Sequence, residues 1–254
     1  MRPVPGREGD ATSAPELDVV VPAHNEAESI QSTLRGIGRA LAGSIRHRIV
    51  ACEDGSEDGT SEKIRELIGE LPILLLSEPG RRGYSGAVLA GIRASRAPYL
   101  LFMDADGQCE PTDAREFWRR RAEADVVAGF RFPRSDPFRR RLFSRLFYWP
   151  YRLATGVRRR DPSCPFVLCR REVVERLAPD LGAMPDGFWW EFSARAVGAG
   201  FSVIELPVRH HVRAAGATRV YGWRRIPRIA WRETAGLCRV LLSTRRRRRP
   251  SDTA

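Results

Sequence analysis

The sequence predicts an α/β protein with a mainly parallel central sheet and helices on both faces. Three observations point there. Short apolar runs, several of them rich in Val, Ile or Leu, recur through the first half of the chain, most bounded by turn or loop signals. Helical patterns separate successive runs, which is the arrangement of βαβ units. The runs read as strands covered on both faces rather than on one.

In chain order, residues 1–15 are rich in Pro and Gly, lack the apolar core of a signal peptide, and are expected to be a disordered tail. Leu17 to Val21 is the first strand, closed by Pro22, and His24-Asn-Glu26 follows in a loop. A helix from about Ala27 to Leu41 puts Ile30, Leu34, Ile37 and Leu41 on one face. Arg48 to Cys52 is the second strand. The acidic turn Glu53-Asp-Gly-Ser-Glu-Asp-Gly-Thr60 comes next, with Thr60 expected to cap a helix carrying Ile64, Leu67 and Ile68. Ile73 to Leu76 is the third strand, and the basic glycine loop Arg81-Arg-Gly-Tyr-Ser-Gly86 opens a helix through Ala94. Tyr99 to Met103, after the turn signal Ala97-Pro98, is the fourth strand. Pro111 starts another helix, and Ala124 to Phe130 is the fifth strand.

The second half changes character. Phe143, Leu146, Phe147 and Pro150 repeat at helical spacing beside Arg140, Arg141 and Arg145, which suits either a helix packed on the core or one facing a membrane. A strand across Cys164 to Cys169, helices near Glu172 to Leu177 and through Trp189-Trp-Glu191 to Val197, and a last strand from Phe201 to Val208 follow. From Val212 the chain is basic. Ile226 to Leu242 mixes Trp, Ile and Leu with Arg, and Arg245 to Arg249 is a pure run. Such a segment is either a solvated tail or one drawn to acidic lipid, where each Arg contributes on the order of 1 kcal/mol.

A chain of 254 residues with 43% apolar content can bury a sizeable core. Its formal net charge of +12 is carried almost wholly by arginine, Lys63 being the single lysine. Guanidinium forks match phosphate and carboxylate oxygens, so phosphorylated small molecules, an anionic membrane face or nucleic acid are the partners this charge suits. Cys52, Cys109, Cys164, Cys169 and Cys238 show neither Cys-x-x-Cys nor zinc spacing, and are expected to be reduced, mostly buried thiols of a cytoplasmic protein. No apolar run approaches the ~20 residues of a membrane span, so contact with a membrane would be peripheral.

The chemistry gathers at the strand ends. Asp104 and Asp106 follow the fourth strand and, two residues apart on extended chain, can meet one ligand. Two such carboxylates repel unless a cation joins them, and hard oxygen ligands suit Mg²⁺ or Mn²⁺ carrying a substrate phosphate. An isolated Asp-x-Asp is as readily a solvated turn. In parallel sheets, however, ligands bind beyond the carboxyl ends of the strands, and Glu26, Asp54, Asp104 and Asp106 all fall in such loops. A phosphatase of the Asp-x-Asp-Gly type should carry the motif after its first strand and a lysine downstream. A nucleotidyltransferase should show a Gly-rich basic loop after strand one. Pro22-Ala-His-Asn25 and the upstream Lys63 supply neither. An Arg-rich membrane or nucleic-acid binding module would leave the ordered acidic loops unexplained.

Five motifs stand in order: Val21-Pro-Ala-His-Asn-Glu26, the acidic turn 53–60, Gly83-Tyr-Ser-Gly-Ala87, Asp104-Ala-Asp-Gly-Gln108 and Arg213-Ala-Ala-Gly-Ala-Thr-Arg219. Together they resemble a family 2 glycosyltransferase of the GT-A nucleotide-diphospho-sugar transferase fold, nearest the dolichyl- or polyprenyl-phosphate sugar transferases. The resemblance implies a catalytic domain over 16–220, followed by a basic amphipathic segment and tail over 221–254. It implies that Pro22, His24, Glu26 and Asp54 hold the nucleotide, with Cys52, Gly83, Ala105 and Thr218 beside the donor. It places Asp104, Asp106 and Gln108 at a Mg²⁺ or Mn²⁺ and diphosphate site, Arg131 and Arg213 near the phosphates, and Glu191 on the acceptor side. The implied donor is a GDP- or UDP-sugar and the implied acceptor a polyprenyl phosphate, with inversion at the anomeric carbon and no nucleic-acid partner. The catalytic candidates are then Asp106, Asp186 and Glu191. A lipid phosphate is already anionic and needs no strong base; a hydroxyl acceptor on a glycan, lipid or secondary metabolite would need one, from Asp186 or Glu191. His24 in place of an aromatic, Glu53 in place of an aspartate, Gly107 in place of a bulkier residue, Cys164-Pro165 in place of a small turn and Thr218-Arg219 in place of Ser-Lys depart from the family pattern, and they bear on the sugar and acceptor more than on the fold.

Overall fold

In the computed structural model, residues 14–78, 80–133, 138–212 and 226–248 are described. Residues 1–13, Arg213, Thr218 and Tyr221 to Trp223 lie outside them, so the expected tail and two of the expected donor-site residues are not placed. The chain runs β1 (Leu17–Ala23), α1 (Ile30–Leu41), β2 (His47–Asp54), α2 (Thr60–Arg65), β3 (Ile73–Glu78), α3 (Gly83–Ala94) and β4 (Tyr99–Phe102). A 3-10 turn, Pro111–Asp113, leads into α4 (Ala114–Arg119). Then come β5 (Val126–Arg131), α5 (Phe138–Thr155), β6 (Val167–Arg170), α6 (Arg171–Leu177), α7 (Phe188–Gly198), β7 (Val203–Val208) and α8 (Ile226–Arg248).

One seven-stranded sheet has the order β3-β2-β1-β4-β6-β5-β7. Every pairing is parallel except those of β6, which runs antiparallel to both β4 and β5. The expectation of a mainly parallel sheet holds, with one reversed strand at its middle. Alternation along β1 sends Val19 and Val21 to one face, where they meet Leu34 and Ile37 of α1, Ile64 of α2 and Phe117 of α4. Val20 points the other way, into a layer with Val88 of α3, Val174 of α6 and Phe192 of α7. The approach of α3 is close: a Cβ on Gly91 would lie 2.4 Å from Val20 and 2.8 Å from the Cys52 sulfur, so this position requires glycine. A smaller cluster joins Tyr151 of α5, Met184, Ala194 of α7, and Leu237 and Val240 of α8. The C-terminal helix is therefore packed against α5 and α7.

Several local expectations are corrected. Gly59, with φ +87°, holds the position before α2, and Thr60 is its first helical residue. The Thr60 hydroxyl oxygen instead accepts from the Glu26 backbone N–H at 2.9 Å, joining the first two loops. Helix α1 begins at Ile30 rather than Ala27, and the Ala27 N–H donates to Asp58 at 3.0 Å. The strand expected over 164–169 is Val167–Arg170, preceded by a turn. Asp18, inside β1 and fully buried, is matched by a bidentate Arg48 at 2.9 and 3.0 Å and by the N–H groups of Arg96 and Ala97 at 2.5 and 2.9 Å. That set fixes the turn entering β4 against β1. The five cysteines are unpaired, and all but Cys238 are buried.

Candidate donor site at the carboxyl ends of the strands

The loops after β1 and β2 brace each other. His24 Nδ1 lies 2.9 Å from the Asp54 carbonyl oxygen. Asn25, held at φ +54°, donates its N–H to the Ser56 hydroxyl at 3.0 Å and accepts from the Glu57 N–H at 3.0 Å. Glu53 accepts from the Ser56 N–H at 2.5 Å and from the Ser77 hydroxyl at 2.9 Å, which ties the end of β2 to β3. Backbone groups that would otherwise face solvent are thereby matched, and the rim is held in one shape.

Asp54 ends β2. Its carboxylate is buried and accepts from the N–H groups of Arg82 and Gly83 at 2.7 and 2.8 Å. These two groups open α3, so Asp54 serves as an anion at a helix N-terminus and draws the basic glycine loop against β2. Cys52 is also corrected: its side chain is in the core, with the thiol donating to the Val50 carbonyl at 3.5 Å, and burial pushes its pKa up. Pro22 and Ala105 are buried as well; the Ala105 carbonyl accepts from the Thr33 hydroxyl at 3.2 Å, anchoring the loop after β4 to α1.

Asp104 and Asp106 are half-buried at the end of β4. Asp104 Oδ1 accepts from the Tyr84 hydroxyl at 2.8 Å, and Asp106 Oδ1 accepts from the Gln108 N–H at 3.1 Å. Gly107, at φ +70°, turns the chain between them and Gln108. The Gln108 side chain donates to the His211 carbonyl at 3.3 Å, and the His211 N–H donates to the Gln108 carbonyl at 2.8 Å. The strand leaving β7 is thus sewn to the acidic loop, directly before the basic stretch that begins at Arg213.

Two accessible carboxylates supply hard oxygen donors for a divalent cation of the Mg²⁺ or Mn²⁺ kind. Among the described residues, no three acidic, His or Cys side chains converge on one point. The donor set therefore fits a cation whose remaining ligands come from water and a bound diphosphate, not one enclosed by protein.

The remaining candidates are placed otherwise. Glu191 has no exposed surface. It pairs with Arg195 at 2.8 Å and accepts from the N–H groups of Gly182 and Met184 at 3.1 and 2.9 Å. Its carboxylate holds the 182–184 loop on α7. Asp186 is the accessible one of the pair, 3.6 Å from Arg232 of α8. Arg131 is buried in a bidentate pair with Asp161 at 2.7 and 3.0 Å and donates to Ser163 at 2.6 Å, so its guanidinium is engaged within the protein. Sequence reasoning missed Tyr84, Trp189 and Glu233. The Trp189 indole N–H donates to the Tyr84 hydroxyl at 2.7 Å. Desolvation and the Asp104 charge raise the Tyr84 pKa well above the usual phenol value. Glu233 of α8 accepts from the Asp186 N–H at 3.1 Å, and burial raises its pKa to about 7.

The chain belongs to glycosyl transferase family 2, whose model matches residues 18–177. It is 28% identical over 215 residues to a dolichol-phosphate mannosyltransferase of Pyrococcus furiosus, covering 82% of this chain. The chain spans only 60% of the length of that relative. It is 30% identical over 218 residues to the polyprenol monophosphomannose synthase of Mycolicibacterium smegmatis, with 80% of each covered. Among solved structures, the mannosyltransferase of Pyrobaculum calidifontis in complex with GDP-Man and Mn²⁺ superposes with a TM-score of 0.64 at 22% identity, over 94% of this chain and 68% of that one. Glucosyl-3-phosphoglycerate synthase of Mycobacterium tuberculosis, with Mn²⁺, UDP-glucose and phosphoglyceric acid, gives 0.66 at 16% identity, over 89% of this chain and 80% of that one. The fold is that of the GT-A glycosyltransferases.

Proposed function

We propose that this protein transfers a sugar from a nucleoside-diphosphate sugar to a polyprenyl phosphate, with a divalent cation and with inversion at the anomeric carbon. The observation that carries the donor half is the pair Asp104 and Asp106, accessible at the end of β4 and flanked by the braced loops after β1 and β2. Braced loops give a donor site formed before the ligand arrives, which lowers the ordering cost of binding. A divalent cation on these carboxylates would offset the diphosphate charge and the negative charge that grows on the leaving group. Glu26 and His24 line the nucleotide side in this reading, beside the glycine loop that Asp54 holds against β2.

The acceptor half rests on two supports. The relatives named above are named for dolichol and polyprenol phosphates. The buried Glu191 also leaves no base on α7, which suits a nucleophile that is already ionised. Asp186 is the remaining candidate should the acceptor be a hydroxyl. A lipid acceptor further suits the apolar side chains left in solvent: Trp149 and Leu153 on α5, and Trp231 and Leu242 on α8. No described helix is long and apolar enough to cross a membrane; in this reading the exposed apolar side chains meet a lipid surface bearing negative charge.

The test is a transfer assay with GDP- and UDP-sugars, Mn²⁺, and either polyprenyl phosphate or the matching polyprenol. Transfer to the phosphate with inverted anomeric configuration is expected. Transfer to the alcohol alone, or retention of configuration, would overturn the acceptor or the mechanism respectively.

A further inference from the structure

We propose that Tyr84 is the positioning residue for Asp104, and that Trp189 fixes the direction of its hydrogen bond. The proposal rests on the reading of Asp104 as a carboxylate that holds the cation. Asp104 lies two residues beyond Phe102, the last residue of β4, so it is not part of the strand ladder. The Tyr84 hydroxyl meets Asp104 Oδ1 at 2.8 Å, and the Trp189 indole nitrogen meets the same hydroxyl at 2.7 Å. An indole N–H can only donate. The Tyr84 oxygen must therefore accept from Trp189, and its single proton goes to Asp104. The polarity of the pair is set by chemistry, with no alternative orientation.

Both ends of this relay are held. Tyr84 stands in the first turn of α3, directly after the two N–H groups that Asp54 captures. The next residue, Ser85, donates its hydroxyl to the Pro185 carbonyl at 3.1 Å, tying α3 to the loop before α7. Trp189 is buried among Phe102, Phe188 and Phe192, with ring centroids 5.2, 5.1 and 5.5 Å away at steep angles. The tyrosine ring itself meets Phe188 edge-on at 6.3 Å. A rigid donor of this kind holds the Asp104 carboxylate in one rotamer, and so lowers the cost of ordering it when a cation binds. It also joins the donor loop to α7, the helix of the acceptor half.

Tyr84→Phe keeps the ring and removes only the hydroxyl. Mn²⁺ affinity is read from the EPR signal of free Mn²⁺ in a titration at fixed GDP or UDP, with a protein-free control and with Asp104→Ala alongside. Loss of such a supporting partner typically weakens metal affinity by ~10–100-fold, and that rise in Kd is expected for Tyr84→Phe. Trp189→Phe should weaken Mn²⁺ less, and should add nothing in the Tyr84→Phe background because it acts through that hydroxyl. Melting of the metal-free protein separates structure from positioning. A Tyr84→Phe variant with wild-type Mn²⁺ affinity, whatever its melting temperature, overturns the proposal when Asp104→Ala has lost that affinity. Unchanged affinity in Asp104→Ala overturns the site reading and this proposal with it.

Discussion

Asp104 and Asp106 stay partly open at the end of β4, whereas Glu191 on α7 has no exposed surface and is matched by Arg195 and two backbone N–H groups. The same contrast runs through the two halves of the molecule. On the donor side, Asp104 and Asp106 are only half-buried beside the braced loops after β1 and β2. Away from those loops, Arg131 is closed on Asp161, Arg159 lies 3.5 Å from Glu205, and Glu191 is closed on Arg195. A carboxylate meant for a cation has to remain reachable; one buried in a pair holds backbone and helices in place. The difference assigns chemistry to one half and shape to the other, and it can be broken at several points.

The largest effect is expected at the open carboxylates. Asp104→Ala and Asp106→Ala should each lower kcat/KM by about 10³-fold, the scale of losing a charge-stabilising group, with little change in melting temperature. A variant that kept its turnover would place the chemistry elsewhere. Next comes the closed half. Glu191→Ala leaves Arg195 buried without its partner, which typically costs about 3–5 kcal/mol, and should show as a lowered urea midpoint. Glu191→Gln, less disruptive, should retain kcat in its folded fraction. A stable Glu191→Gln variant that had lost kcat would return the base to α7.

The third effect concerns Glu233, which joins α8 to the loop before α7. Its folded pKa of about 7 lies above the ordinary value for a glutamate, because burial disfavours the charge. The folded state thus binds the proton more tightly than the unfolded chain. The stability this confers is full below about pH 4.5 and is lost as pH rises through about 7. Glu233→Gln should flatten the fall in melting temperature over that window, and an unchanged slope would show that another group sets it. The smallest effect is expected at the surface: Leu153→Ser and Trp231→Ser should each weaken partition onto vesicles with acidic lipid several-fold while leaving donor binding intact. Equal partition for both variants would remove α5 and α8 from the membrane face.

Much of this was legible before any coordinates. The first four strands are short apolar runs closed by Pro, Gly or acidic turns, and such runs in a βαβ pattern leave little choice of topology or of where ligands bind. The reversal of β6 was not legible, since the composition of Val167 to Arg170 carries no mark of strand direction. Asp54 and Arg131 show a second limit. Their residue types and loop positions suit a ligand, but the N–H groups of Arg82 and Gly83, and the Asp161 carboxylate, are equally suitable partners that only the fold brings within reach. Cys52 fails for a simpler reason, because alternation along β2 turns it into the core. Tyr84 and Trp189 are separated by more than a hundred residues, and a tyrosine just inside a glycine loop that opens a helix was the one local sign available. Glu233 was hidden within an arginine-rich segment read only for its net charge.

In the function proposed, Asp104 and Asp106 hold a cation against a donor diphosphate. Isothermal titration of the wild-type protein with GDP- and UDP-sugars, in Mn²⁺ and again after chelation, measures this most directly. Binding of one donor in Mn²⁺ that weakens by at least about 10-fold in chelator is the predicted result, since two anionic carboxylates facing an anionic diphosphate repel it without the ion. Equal affinity with and without Mn²⁺ would contradict it.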